Sequence, residues 1–237
     1  YKKLDKKLIS GLNFEDPLLA SNVAKKMIKA GADAILIFPP FSWSQGISHE
    51  MIYQHHKVIC NKIYKPVFIY QSSIYSGHLS YKKKFLKKLL KIKNVIGVKE
   101  GSWDFKNYVN NYKFLKKIKK DFLVMASGDE HLYPCFKYAS DGSQVSLAAI
   151  TPDKIVELIR LIENKQYSEA KKLDKKLLIL AKNIYGKYPA NFATARIKYC
   201  LRVLKKIPSD LMRSSIFLNT NEKIQLKKSL KALGFKL

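Results

Sequence analysis

Short apolar runs alternate with longer amphipathic ones along the whole first part of the chain, and this rhythm limits the folds open to it. Six runs read as buried strands: residues 7–12, 33–38, 66–71, 95–100, 122–127 and 143–149. They are bounded by turn residues and mostly apolar on both faces, as strands of a covered parallel sheet are. Between them lie helices with clear start signals. Asp16-Pro17 opens a helix over 18–30 that Gly31 ends; Ser48, Ser80 and Asp104 open helices over 49–63, 81–91 and 105–119; Thr151-Pro152 opens one over 153–163. Tyr133-Pro134 sits early in a further helix, where proline is tolerated. The pattern then changes: 167–183, 190–204 and 221–233 read as helices with no strand between them.

Six βα units in a row fit either a doubly wound sheet or a (β/α)8 barrel. No GxGxxG or GxxxxGK[ST] follows any strand, which argues against dinucleotide and P-loop sites. A barrel needs eight strands, so two are missing. The chain also opens on Tyr1-Lys2-Lys3-Leu4-Asp5, with no initiator methionine and no targeting pattern. The expected fold is therefore α/β, a (β/α)8 TIM barrel truncated at its N-terminus. Residues 1–163 supply strands three to eight, and 164–237 form a C-terminal helical domain.

Composition narrows the function classes. Of 237 residues, 45 are Lys or Arg and 18 are Asp or Glu, a formal charge of +27. Only Arg160, Arg196, Arg202 and Arg213 are arginines, so 45 − 4 = 41 cations are lysines, spread along nearly every helix. Base and phosphate recognition favours the arginine fork, so specific nucleic-acid binding is not expected, while weak salt-sensitive adhesion to polyanions is. No apolar run reaches membrane-spanning length. Cys60, Cys135 and Cys200 are isolated, giving neither a disulfide framework nor a zinc site, and a cytoplasmic location is expected. His55-His56 lacks metal-ligand spacing and is assigned to a helix surface. His78 and His131 fall near strand-end loops without being singled out.

In a barrel, chemistry sits at the C-terminal ends of the strands. The third predicted run ends in Tyr70-Gln71, the fourth in Lys99-Glu100-Gly101 and the fifth in Ser127-Gly128-Asp129-Glu130; the sixth carries Ser146. Lys99 follows Val95-Ile96-Gly97-Val98, so it belongs to a strand and not to a solvated helix face. An amine there can attack a ketone to form a Schiff base; the alternative is a strand-end lysine reaching water. Tyr70 lies one βα unit upstream at the same level of the neighbouring strand, where a phenol can relay protons; otherwise it is an amphipathic residue at a core edge. Asp129 and Glu130 either hold substrate hydroxyls or stabilise a helix N-terminus.

These segments resemble one family. Gly97-Val98-Lys99-Glu100-Gly101-Ser102-Trp103-Asp104 is similar to the G-[IV]-K-[ED]-x-[ST]-x-D segment of the dihydrodipicolinate synthase / N-acetylneuraminate lyase family. Residues 66–71 resemble its P-[VI]-x-[LI]-Y-N segment, Gly31-Ala32-Asp33-Ala34 its G-A-D-[AG] segment, and Ser127-Gly128-Asp129 its S-G-D turn. The resemblance implies a class I Schiff-base aldolase barrel with a helical C-terminal domain that binds pyruvate or a related 2-keto acid, without metal or cofactor. It makes Lys99 the Schiff-base lysine and Tyr70 the proton relay, and implies a homo-oligomer, a tetramer by analogy. The family's carboxylate-binding Gly-Thr-Thr-Gly-Glu loop follows its second strand, so it falls upstream of Tyr1, and the chain by itself is expected to lack a complete site.

Departures from the pattern bear on the subgroup. In dihydrodipicolinate synthase an arginine after the Tyr-Asn pair grips the second substrate's carboxylate; Tyr75 occupies that place. The family's Pro-Tyr-Tyr, which reaches a neighbouring subunit, is here Pro40-Phe41-Ser42. Asp129, Glu130 and Ser146 match positions that bind the polyhydroxyl chain in N-acetylneuraminate lyase. The candidate substrate-binding set is thus Ser127, Asp129, Glu130, Ser146 and Tyr75, and a sugar-acid lyase or dehydratase is expected ahead of 4-hydroxy-tetrahydrodipicolinate synthase of lysine biosynthesis. A non-catalytic basic binding protein on a barrel scaffold is the reading from another class; it requires Lys99 to be unreactive.

Overall fold

A computed structural model describes residues 6–213 and 216–237. The opening segment 1–5, read above as free of a targeting pattern, lies outside the described residues. Six strands form one sheet: β1 (Ile9–Leu12), β2 (Ala34–Ile37), β3 (Val67–Gln71), β4 (Val95–Glu100), β5 (Leu123–Ala126) and β6 (Gly142–Ser143). Each pairs in parallel with the next, in the order β1 to β6. A doubly wound sheet reverses its order at a switch point, whereas a (β/α)8 barrel keeps its strands in sequence. The unbroken order therefore assigns these six strands to the barrel class.

By contact the described residues form two compact units, residues 6–128 with 139–143, and residues 129–138 with 144–213 and 216–237. The first holds the sheet and its covering helices α1 (Pro17–Lys29), α2 (His49–Lys62), α3 (Lys83–Leu89) and α4 (Phe105–Ile118). Their start signals act largely as read. The Asp16 carboxylate accepts the Leu18 amide at 2.7 Å, Ser48 accepts that of Met51 at 3.1 Å, and Asp104 that of Asn107 at 2.6 Å. Gly31 leaves α1 with φ of 110°, a conformation that favours glycine. Ser80 does not cap α3: its hydroxyl accepts a bond from the Gln71 amide, whose oxygen takes the Tyr81 N–H, so the helix starts later.

The second unit is helical: α5 (Leu132–Tyr138), α6 (Leu147–Ile150), α7 (Pro152–Glu163), α8 (Tyr167–Tyr185), α9 (Ala193–Val203) and α10 (Thr220–Ala232). Its core includes Leu158, Leu177, Leu180, Ile184, Cys200 and Leu230. Buried Arg196 pairs with Glu222 at 2.9 Å and donates to the carbonyls of Ile184 and Lys187, tying the end of α8 to α10. Glu222 also completes a capping box with Asn219. Thr151 gives no side-chain cap to α7; its hydroxyl donates to the Asp153 carboxylate instead.

The largest departure from the sequence reading is the sixth strand, expected over 143–149. It stops at Ser143, and Leu147–Ile150 are helical. The Asp129 carboxylate accepts the Leu147 amide at 2.7 Å and that of Ser146 at 3.4 Å, which draws the chain into a turn. His55 and His56 are the second correction: both are buried beneath Trp43, whose ring meets His55 edge-on at 4.9 Å. Among the described residues no helix is long and apolar enough to cross a membrane.

Candidate active site

The face of the sheet shared by the first unit's inner cluster carries two successive levels of side chains. Leu36, Phe68, Gly97 and Leu123 stand in register on one; Tyr70, Lys99, Met125 and Gly142 stand on the next, nearer the C-terminal strand ends. Gly97 is required by the first level. A Cβ there would lie 2.5 Å from Phe68 Cε1 and 2.8 Å from the Leu123 carbonyl, so the aromatic ring fills the space that a side chain would take.

The second level holds the candidate chemistry. Tyr70 and Lys99 are direct register partners. The Lys99 Nζ stands 5.1 Å from the centroid of the Tyr70 ring and 5.1 Å from that of Phe38. These two rings are 5.1 Å apart and tilted by 40°. The amine thus stands beside two aromatic rings that lie against each other. Gly101 makes room for the phenol: a Cβ there would fall 2.9 Å from Tyr70 Cε2 and 3.0 Å from its hydroxyl.

A β-bulge makes Tyr70 and Lys99 meet. Val67 pairs with Val95, but Phe68 pairs with Gly97, leaving Ile96 as an extra residue in β4. Without it Tyr70 would pair with Val98, and Lys99 would face the other side of the sheet.

Glu100 faces away from Lys99 by strand alternation and is buried. Asn111 donates to one of its oxygens at 2.9 Å and the Ser102 hydroxyl to the other at 3.0 Å. Burial pushes this carboxyl up from the ordinary range, against the lowering effect of those bonds. The Ser102 carbonyl in turn accepts the Ile74 amide at 3.0 Å. Glu100 therefore fixes the turn after β4, and that turn fixes the loop after β3.

The β3 loop borders a cavity of about 690 Å³, a size suited to a small molecule. Its apolar side includes Phe38, Pro39, Pro40, Phe41, Tyr70 and Tyr75; its polar side is Ser44, Ser72, Ser73, Ser76 and Asn13. The structure therefore brings Tyr70 and Tyr75 to one cavity and Lys99 against two of its rings. Ser127 is buried in the same unit, its amide donating to the Glu100 carbonyl at 3.1 Å. In the second unit, Asp129 is 5% exposed with both oxygens taken up by backbone amides, Ser146 lies at the start of α6, and Glu130 is half-buried. Phe38, Gly101 and Glu100 were not singled out from sequence. The Lys-Glu-Gly triplet was a signal for the last two, since glycine beside a functional strand end marks a close approach. No group of three His, Cys, Asp or Glu side chains placed to hold a metal occurs among the described residues.

The profile of the dihydrodipicolinate synthetase family matches residues 18–233. The 4-hydroxy-tetrahydrodipicolinate synthase of Acetivibrio thermocellus is 27% identical over 186 residues, covering 78% of this chain and 61% of that protein. The chain thus spans less than two thirds of this relative's length. The protein of the same name from Chlorobium phaeobacteroides is 27% identical over 91% of this chain and 70% of its own. The crystal structure of dihydrodipicolinate synthase from Thermotoga maritima superposes with a TM-score of 0.84 at 19% identity, covering 98% of this chain and 77% of that one.

Proposed function

The chain belongs to the dihydrodipicolinate synthetase family, and from that premise we propose that the protein is a Schiff-base-forming lyase acting on pyruvate or a related 2-keto acid. The observation that carries this is the register pairing of Lys99 with Tyr70, with the amine beside the Tyr70 and Phe38 rings, 5.1 Å from each centroid. The Lys99 amine attacks the ketone carbon, the carbonyl oxygen leaves as water, and an iminium forms. The iminium accepts the electron pair released when a proton or a carbon–carbon bond is lost from the neighbouring carbon. Tyr70 passes protons to and from the reacting oxygens. In the aldol direction the resulting enamine carbon bonds to an aldehyde carbon, the aldehyde oxygen takes a proton, and water then frees the product and Lys99.

Two substrate assignments follow. The sugar-acid reading takes Asp129, Glu130 and Ser146 as ligands for substrate hydroxyls, with Ser127 at the same strand end. The lysine-biosynthesis reading is supported by the activity that names the two relatives; Tyr75 in the arginine's place speaks against it. Assembly into an oligomer belongs to the same family reading, and light scattering that returns a monomer mass at micromolar concentration would remove it. The test of the chemistry is incubation with pyruvate and borohydride followed by peptide mass mapping. One adduct on Lys99 is expected; labelling scattered over surface lysines would refute the assignment.

A further inference from the structure

The cavity beside Tyr70 lies within the first unit, and three of its four serines come from the short loop after β3. That loop is closed on itself. The Ser72 amide donates to the Leu79 carbonyl at 3.3 Å, the Ser76 amide to the Ser73 carbonyl at 2.9 Å and the Leu79 amide to the Ser76 carbonyl at 3.1 Å. With these amides holding the loop, what it offers the cavity is hydroxyls. Ser72 is 6% exposed and lines the cavity, and its hydroxyl meets no hydrogen-bond partner among the described residues; that of half-buried Ser76 meets none either. The Ser73 hydroxyl accepts the Tyr75 amide at 3.3 Å and keeps its own proton. Ser44 gives its proton to the Phe41 carbonyl at 2.7 Å and keeps lone pairs, and Asn13 brings both a donor and an acceptor.

A buried hydroxyl without a protein partner is satisfied by water or by a guest. Donors and acceptors are mixed along this wall, so the guest that matches it best both donates and accepts, as a hydroxyl does. A carboxylate only accepts, and no lining side chain carries a formal charge to meet it. The charge of an iminium at Lys99 is met by the keto acid's own carboxylate, on the carbon next to the imine. An apolar tail would seal the Ser72 hydroxyl in unpaired. We infer that Ser72 and Ser76 are specificity residues, binding hydroxyl groups on the tail of the 2-keto acid held at Lys99. The inference rests on the Schiff-base reading for the anchor and on this loop for the choice of tail. It extends the sugar-acid assignment with ligands that the family resemblance does not supply. The Phe38 and Tyr70 rings take the carbon face of the same tail.

Three 2-keto acids of equal chain length test this on the whole protein, at about 0.3 M salt to screen its surface charge. 2-Keto-3-deoxygluconate carries hydroxyls along its tail, 2-ketohexanoate carries none, and 2-ketoadipate ends in a second carboxylate. The readout is the concentration of each that half-saturates borohydride trapping on Lys99, in the wild type and in Ser72→Ala and Ser76→Ala. Taking each variant against the wild type cancels the fraction of any acid that is cyclic in solution. Each variant is expected to weaken 2-keto-3-deoxygluconate about fivefold more than 2-ketohexanoate, the scale of one hydrogen bond. Equal losses for all three acids would mark the serines as supports of the loop and overturn the proposal. So would the largest loss with 2-ketoadipate, which would make this a carboxylate site. In both cases trapping of pyruvate on Lys99 shows that the imine chemistry stands. If pyruvate is not trapped, the lyase reading fails, and the same ratios measured by ligand-detected NMR binding of the three acids decide the role of the serines by the same criteria.

Discussion

A lysine among 41 is informative only by its position, and for Lys99 that position is a strand register. Its amine and the Tyr70 phenol share one level of the sheet, so Lys99→Ala is expected to abolish pyruvate trapping, whereas Tyr70→Phe should retain trapping but slow turnover by about 10²-fold, the usual worth of a placed proton relay. Mass mapping and steady-state kinetics check the pair; unchanged turnover in Lys99→Ala would end the proposal. Gly101 gives a sharper test of geometry. An added methyl meets the Gln71 carbonyl at 2.9 Å and the phenol oxygen at 3.0 Å. Gly101→Ala should therefore move Tyr70 and cut the trapping rate by at least about tenfold while the protein stays folded, as circular dichroism would show. Lys99 and Tyr70 were legible because apolar strand residues precede both. Gly101 and Phe38 were not, because nothing in a sequence says which ring needs the room a glycine leaves.

Strand and helix identity was mostly legible, and two of the misreadings share a cause: a side chain from another part of the chain captured the local signal. Gln71 holds Ser80 and Tyr81, so α3 loses its apparent cap. Asp129 takes the amides of Ser146 and Leu147, so an apolar run that fits a strand or a short helix equally well becomes a helix. The bulge at Ile96 left no trace, since one inserted apolar residue keeps the run apolar, yet it decides which face Lys99 occupies. Its neighbour Gly97 tests that region: Gly97→Ala drives a methyl against Phe68 and the Leu123 carbonyl, and should lower stability by about 1–3 kcal/mol in chemical denaturation. A wild-type midpoint would show that Phe68 moves aside freely. Helix α2 has its own signature. Burial holds the His56 pKa down at about 4, against 6.5 for a free imidazole, with its Nδ1 2.8 Å from the Ile52 carbonyl and His55 beside it. As pH falls from 6.5 towards 4, the unfolded chain takes up a proton that the folded one refuses, so stability falls across that window by up to about 3 kcal/mol. The melting temperature should drop between pH 7 and pH 5, and His56→Asn should flatten that slope.

At the scale of the molecule, charge is the unabsorbed feature. Eighteen acidic groups can neutralise at most eighteen of 45 cations, and several acids are already engaged with backbone: Asp16 and Asp104 at helix starts, Asp129 at α6. The buried Arg196–Glu222 pair spends one cation on structure; the cations left over sit mainly on helix faces in mutual repulsion. Such repulsion opposes the compact state at low ionic strength and fades once the Debye length drops below the spacing of the charges, from about 30 Å at 0.01 M to under 10 Å above 0.1 M. The melting temperature is therefore expected to rise by several degrees between 0.02 and 0.3 M potassium chloride, since about 1 kcal/mol corresponds to roughly 2–4 °C in a chain of this size. Retention on heparin should vanish over the same range, because contacts made by scattered lysines carry counterion release and little else. The two readouts moving together would mark the lysines as a solvated, repelling surface. Heparin binding that survives 0.3 M salt would instead point to a shaped anion site, and would return the chain to the class of basic binding proteins.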